Sequence, residues 1–288
     1  MAVSYAFSVI RLVRTLNCAL AAAAALAGGY LQTLDPRLPD LYILAFVVAL
    51  LCGAGNALND RLDIDADRIN HPRRPLPSGS LKPTEASLVV ALLFLAGLTL
   101  SLLLSPALIA VATLISVALV WYNYQLKRLP VVGNLVIAFL GGLVVVAGGL
   151  AAGGDILELP GSLFPALLAF LLHFAREMTK DVQDIEGDRV VGFATYPIRR
   201  SARRALNFAA VAVGALALLT LAPIYFNWYS GYYTPIVIFA VDVPLLVMLV
   251  VLYRDTRPAT LRAASLVYKF GMVTGLVAVV LGGVFMAP

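Results

Sequence analysis

Residues 41–68 read LYILAFVVALLCGAGNALNDRLDIDADR. An apolar run about 20 residues long, the length that carries a helix across a bilayer, gives way at Asn59 to a stretch with four aspartates in eight residues, Asp60, Asp63, Asp65 and Asp67. Lipid offers no partner to a backbone N–H or C=O, so such a run is helical, and it is about twice the length of a membrane-barrel strand. Runs of the same kind recur at 14–33, 84–104, 106–122, 131–152, 161–179, 204–225, 233–252 and 264–286. With 41–60 they predict nine transmembrane helices in one all-α bundle, a single domain over residues 1–288. Composition agrees: 61% of the 288 residues are hydrophobic and 13% charged, against roughly a quarter charged in soluble domains.

A net charge of +5 in a soluble protein would suggest nucleic acid, but the cations here fall at one set of helix ends. Arg11 and Arg14 precede the first run; Arg61, Arg68, Arg73, Arg74 and Lys82 join the second to the third. Lys127 and Arg128 join the fourth to the fifth, Arg176 to Arg204 the sixth to the seventh, and Arg254 to Arg262 the eighth to the ninth. The alternate links contain Arg37 as their one cation. The positive-inside bias then predicts a multi-pass protein of the cell membrane with a cytoplasmic N-terminus and no nucleic-acid partner. Tyr5, Phe7 and Ile10 suggest a short surface helix ahead of the first span rather than a cleaved signal. Cys18 and Cys52 fall inside spans and read as packing thiols.

The acidic stretch occurs twice. Asn59 to Arg68 (NDRLDIDADR) aligns with Lys180 to Arg189 (KDVQDIEGDR) at a constant offset of 121 residues, each at the end of an even-numbered run. This predicts two parallel four-helix repeats plus one helix. In each copy the aspartates at i, i+3 and i+7 share one helical face: Asp60, Asp63 and Asp67, then Asp181, Asp184 and Asp188; Asp65 and Glu186 point away. Six converging carboxylates repel one another unless hard cations neutralise them. Mg²⁺, which takes one or two carboxylates and leaves positions for phosphate oxygens, suits two facing sites with two or more ions bridging a diphosphate. Asn59 and the six aspartates are therefore the candidate metal ligands, with Asp63, Asp67, Asp184 and Asp188 carrying the catalytic role. The plainer reading, a solvated charged helix end, explains one motif but not two at identical spacing.

Cations are needed for a departing diphosphate. Lys127 is the catalytic candidate, and Arg14 and Asn17 stand at the same end of the first run; topogenic or lipid-headgroup charge explains Lys127 and Arg14 equally well. Tyr122 and Tyr124 read either as interfacial aromatics or as groups that orient phosphate or face an allylic cation. His173 reads as a packing residue. Asp242, inside the eighth run, is an intramembrane acid with no assigned role.

These motifs resemble those of the UbiA superfamily of intramembrane prenyltransferases: Asn-Asp-x-x-Asp-x-x-x-Asp at Asn59 to Asp67 and Asp-x-x-x-Asp at Asp184 to Asp188, with Tyr122 to Arg128, Gly133-Asn134 and the stretch Asp67 to Gly79. Within the superfamily, Asp67-Arg68-Ile69-Asn70, Arg74-Pro75-Leu76-Pro77-Ser78-Gly79, Lys180 to Asp188 and Tyr268 to Met272 look most like archaeal digeranylgeranylglyceryl phosphate synthases; His71 and Thr15 depart from the usual Arg and Pro. The resemblance implies Mg-dependent transfer of geranylgeranyl from its diphosphate to geranylgeranylglyceryl phosphate. It also implies substrate contacts from Asn59, Arg68, Arg74, Asn134 and Lys180. For the acceptor's phosphate, Arg73, Arg74, Lys82, Arg199 and Arg200 are the candidates. The alternatives are an aromatic-acceptor prenyltransferase of quinone biosynthesis and, from another class, a secondary transporter, whose site would lie nearer the midplane.

Overall fold

A computed structural model of the chain describes residues 2–33, 39–153, 155–157 and 159–284, so Arg37 and the last residues of the ninth run lie outside it. In chain order the helices are α1 (Ala2–Val13), α2 (Thr15–Gln32), α3 (Pro39–Leu62), α4 (Ile64–Asn70), α5 (Pro83–Ser101), α6 (Pro106–Tyr124), α7 (Val132–Ala152), α8 (Leu163–Gln183), α9 (Ile185–Val190), α10 (Tyr196–Arg199), α11 (Ala202–Leu219), α12 (Ala222–Phe226), α13 (Tyr233–Val237), α14 (Val243–Arg254) and α15 (Pro258–Val284). A 3₁₀ turn, Leu126–Arg128, precedes α7, and a π turn, Ile238–Asp242, joins α13 to α14. Among the described residues there is no strand.

Each of the nine apolar runs holds a helix, but the count of spans differs from the expectation. Seven helical segments are long and apolar enough to cross a bilayer, or eight if α1 and α2, which meet at a 46° bend, form one span. Outside that count stands α8, the helix of the run at 161–179, whose last turns carry Arg176, Glu177, Lys180 and Asp181. The bend between α1 and α2 is made at Arg14, whose φ of 54° is left-handed and which caps the start of α2, its carbonyl accepting the Asn17 N–H at 2.8 Å. Proline in the first turn, where no intrahelical N–H is lost, starts α5 and α6. At α5, Glu85 adds a cap by accepting the Lys82 N–H at 2.7 Å.

Burial sorts the spans. In α3 61% of the apolar window is buried and in α5 only 17%, so α3 is central, and Leu88, Leu92 and Leu95 of α5 face outward as lipid-facing residues do. One hydrophobic core is built mainly on α2, α3, α6 and α7, and a second mainly on α8, α11 and α13 to α15. The first reaches the second through α7, which packs on both α2 and α8. Glycines set the α2–α7 spacing: a Cβ on Gly28 would lie 2.0 Å from the Val145 carbonyl oxygen, and one on Gly148 1.9 Å from that of Ala25. The two backbones therefore touch directly, the close approach that small residues permit in membrane helices. Between the cores lies a cavity of about 310 Å³ lined from both halves.

The π turn has a local cause. Pro244 cannot accommodate the carbonyl four residues earlier in a regular helix, and that carbonyl, Ala240, instead accepts the Thr274 hydroxyl at 2.9 Å. Asp242, in the same turn, accepts from the Thr220 hydroxyl at 2.9 Å.

Candidate active site at the acidic helix ends

The aspartate motifs do not ride on uninterrupted helices. After α3 the chain breaks for one residue at Asp63 (φ −100°, ψ 15°) and resumes as α4; after α8 it breaks at Asp184 (φ −97°, ψ 5°) and resumes as α9. The equivalent residue of each motif thus takes the same non-helical conformation. The kink turns the later aspartate of each copy relative to the first, a rearrangement that residue spacing alone does not carry.

The short helices α4 and α9 then pack together. Asn70 clamps them: its Nδ2 donates to the Asp184 carbonyl and its Oδ1 accepts the Gly187 N–H, both at 3.0 Å. Gly187 is required for this approach, since a Cβ there would lie 2.4 Å from Asn70 Nδ2 and 2.5 Å from the Ala66 carbonyl oxygen. His71 crosses in the same direction, its Nε2 3.1 Å from Asp184 Oδ1. Asp63, Asp67, Asp181, Asp184 and Asp188 consequently line one polar mouth with Asn59, Arg74, Tyr122, Lys127 and Lys180.

Each acid has a distinct setting. Lys127 pairs with Asp63, whose other oxygen accepts from Asn59 Nδ2 at 2.8 Å. Arg74 pairs with Asp67 at 2.6 Å and Asp60 at 3.3 Å, and Arg14 also pairs with Asp60. Lys180 lies 3.5 Å from Asp184, and Asn134 Nδ2 donates to Asp181 at 3.0 Å. No cation pairs with Asp181 or Asp188 among the described residues. Burial and then the charge of Asp184 push Asp188 up to about 7. Burial also raises Asp67, against the pull of Arg74. At Asp184 burial acts upward as well, but Lys180, His71 and Arg74 outweigh it and hold the carboxyl below its ordinary range.

Lys127 is placed by its surroundings. Its ammonium lies 5.4 Å from the centre of the Phe193 ring, with Arg128 5.3 Å from the same ring. Its turn lies against Gly133, where a Cβ would sit 2.9 Å from the Lys127 Cα. Between them Val131 holds a φ of 69°, a costly conformation for a β-branched residue that the packed turn must sustain.

The mouth opens onto the apolar cavity: Asn59, Tyr122 and Lys180 line both. Arg14 and Asn17 line the cavity side. Three of the residues expected at the site lie outside both linings. Asp60, 1% exposed and held by two guanidinium groups, does not line the mouth, so five aspartates converge there rather than six. Arg68 has a side chain 65% exposed and pairs with Asp65; Tyr124 is 53% exposed; neither lines the mouth or the cavity, because each falls on the outward face of its helix. Asp242 belongs to neither lining. Sequence reasoning missed Phe193 and the clamp at Asn70. Asn70 closes the Asp67-Arg68-Ile69-Asn70 stretch, where nothing in the sequence assigns it a partner, and Phe193 stands in no motif.

The donor set suits Mg²⁺ only in company with a substrate. No three acidic, His or Cys side chains among the described residues are grouped so as to hold a metal ion by themselves. A magnesium site needs fewer, since one or two carboxylates suffice when waters and phosphate oxygens complete the shell. The unpaired Asp181 and Asp188, facing Asp63 and Asp67 across the mouth, supply such carboxylates from both motifs.

An all-helical membrane bundle with a polar, acid-lined mouth above an apolar cavity defines a class of protein that handles the charged head of a lipophilic substrate. The chain belongs to the UbiA prenyltransferase family, whose model matches residues 16–273. It is 38% identical to the digeranylgeranylglyceryl phosphate synthase of Methanoculleus marisnigri over 78% of this chain and 79% of that one. With that of Methanopyrus kandleri it shares 35% identity over 93% of this chain and 96% of the other. A solved structure described as a digeranylgeranylglyceryl phosphate synthase in membranes superposes with a TM-score of 0.72 at 28% identity, covering 98% of this chain and 99% of that one. A UbiA homologue from Archaeoglobus fulgidus, solved with GPP and Mg²⁺, shares the fold at a TM-score of 0.68 and 18% identity over 94% of this chain and 99% of that one.

Proposed function

We propose that this prenyltransferase moves a geranylgeranyl group from geranylgeranyl diphosphate to the free hydroxyl of geranylgeranylglyceryl phosphate, forming digeranylgeranylglyceryl phosphate for archaeal ether lipids. The observation that carries the proposal is the meeting of both acidic motifs at one mouth that opens onto a cavity of about 310 Å³. The names of the relatives, at 35% and 38% identity, favour this acceptor over an aromatic one.

Asp63, Asp67, Asp181, Asp184 and Asp188, with Asn59, would hold Mg²⁺ against the diphosphate. Bound there, Mg²⁺ supplies Lewis-acid neutralisation of the charge that grows on the leaving group. Lys127, Arg74 and Lys180 add fixed positive charge around the same oxygens, in a site already arranged before substrate arrives. Asn134 orients Asp181, and Tyr122 stands where the head meets the allylic chain. The carbon–oxygen bond to diphosphate breaks, an ether bond forms to the acceptor's hydroxyl oxygen, and the hydroxyl proton leaves to a base. Apolar walls keep water from capturing the allylic cation. The chain acts as one domain built of two parallel four-helix repeats plus a last helix, a reading supported by the matching breaks at Asp63 and Asp184. Positive-inside charge sets the N-terminus and the mouth on the cytoplasmic side.

Membranes containing the protein, given geranylgeranyl diphosphate and Mg²⁺, are expected to prenylate geranylgeranylglyceryl phosphate and to leave 4-hydroxybenzoate unmodified. The reverse preference rejects the acceptor.

A further inference from the structure

The apolar cavity contains charge that the diphosphate site does not use. On α8, His173, Arg176, Glu177 and Lys180 are spaced three and four apart and form one stripe. All four line the cavity, as do Arg14 and, from α15, Lys269. Four basic side chains therefore face this cavity against one acid, Glu177. Arg14 is engaged by Asp60, Lys180 by Asp184 and Arg176 by Glu177, which leaves Lys269 with no ion pair among the described residues. Two further polar atoms on the stripe, Arg176 Nε and His173 Nδ1, are buried without a hydrogen-bond partner. Unpaired cations and orphaned polar atoms at membrane depth are costly, and groups of this kind persist where a ligand completes them.

We propose that Arg176 and His173 of α8, with Lys269 of α15, bind the phosphate of the acceptor lipid. The assignment rests on the proposed function. A phosphomonoester brings close to two negative charges and three strong acceptor oxygens, which match a guanidinium, an ammonium point charge and a ring nitrogen. The position also fits: Arg176 precedes Asp184 by eight residues, about 12 Å along a helix that rises about 1.5 Å per residue. The second anion thus binds beyond the mouth, on the side where the tails lie, and Lys180 stands between the two anions. The basic residues that sequence offered for this phosphate are placed differently. Arg73, Lys82, Arg199 and Arg200 are exposed, and Arg74 is committed to Asp60 and Asp67.

Lys269→Gln is the clean test, because it breaks no ion pair among the described residues, whereas changing Arg176 strands Glu177. With purified enzyme, Lys269→Gln is expected to raise the KM for geranylgeranylglyceryl phosphate about ten-fold or more, the scale of a lost charge-assisted hydrogen bond. The KM for geranylgeranyl diphosphate stays within about two-fold on the same reasoning. With geranylgeranylglycerol, which lacks the phosphate, wild type and Lys269→Gln are expected to behave alike. An unchanged acceptor KM, or an equal loss with the phosphate-free alcohol, overturns the site. If wild type instead prenylates only 4-hydroxybenzoate, the proposed function fails, and the pocket is judged by thermal shift of the donor-free protein. Stabilisation by geranylgeranylglyceryl phosphate over geranylgeranylglycerol that disappears in Lys269→Gln upholds the phosphate site. Equal stabilisation by the two lipids, or stabilisation that survives the substitution, refutes it.

Discussion

Asn70→Ala tests whether the two halves of the chain must be held together for chemistry. Asn70 carries no charge and holds no place among the metal-ligand candidates, yet it makes two hydrogen bonds of 3.0 Å to the α9 segment, one to the Asp184 carbonyl and one from the Gly187 N–H. At about 0.5–1.5 kcal/mol for each bond, losing both removes roughly 1 to 3 kcal/mol from the α4–α9 contact. If that contact serves to hold Asp63 and Asp67 opposite Asp184 and Asp188, the loss appears in transition-state positioning as a fall of about 5- to 150-fold in kcat/KM. The ligand set is intact, so excess Mg²⁺ should recover part of the activity, as it should not for an aspartate variant. The assay is kcat/KM for geranylgeranyl diphosphate across a Mg²⁺ titration, with the melting curve of the bundle as control. Gly187→Ala approaches the same contact from the other side by wedging a methyl group between Asn70 and the Ala66 carbonyl, and should act in the same direction. Activity within about two-fold of wild type at every Mg²⁺ concentration, with both variants folded, would refute the clamp, since even the lower end of the hydrogen-bond range exceeds that.

Asp63→Asn and Asp184→Asn are each expected to cut turnover by about 100-fold or more, the scale of a lost electrostatic stabiliser, while the protein still extracts and melts as wild type; full activity in either would point away from catalysis at this mouth. Chelation of divalent ions should abolish turnover and Mg²⁺ restore it, with little change in melting temperature, because Arg14, Arg74, Lys127 and Lys180 already pair with the acids; a chelator-induced collapse of the fold would contradict this. Arg68→Ala should leave kcat/KM within about two-fold, as its pair with Asp65 is exposed and such pairs contribute about 0–1 kcal/mol. Gly28→Ala should destabilise the bundle by about 1–3 kcal/mol, the usual cost of overpacking, because its methyl group meets the Val145 carbonyl oxygen; an unchanged melting curve would mean that α2 and α7 separate freely.

Composition and run length were enough to determine that the chain is an all-helical membrane protein, because lipid leaves the backbone of a long apolar run no other way to satisfy its hydrogen bonds. The doubled aspartate spacing likewise marked Asp63, Asp67, Asp184 and Asp188, because a repeat is visible in a chain read end to end. Spacing on an ideal helix groups Asp60 with the other aspartates, whereas in the folded chain it is buried in pairs with Arg14 and Arg74 and does not line the mouth. Nor did apolar pattern foretell that the polar stripe of α8 faces inward to the cavity. Only the tertiary structure decided that Asn70 meets Gly187, 117 residues away, that His71 meets Asp184, and that Arg176 and Lys269 line one cavity. Periodicity reports which face of its own helix a residue occupies, whereas partners across the bundle depend on how the helices pack, which in lipid is decided by small residues and polar contacts rather than by apolar pattern.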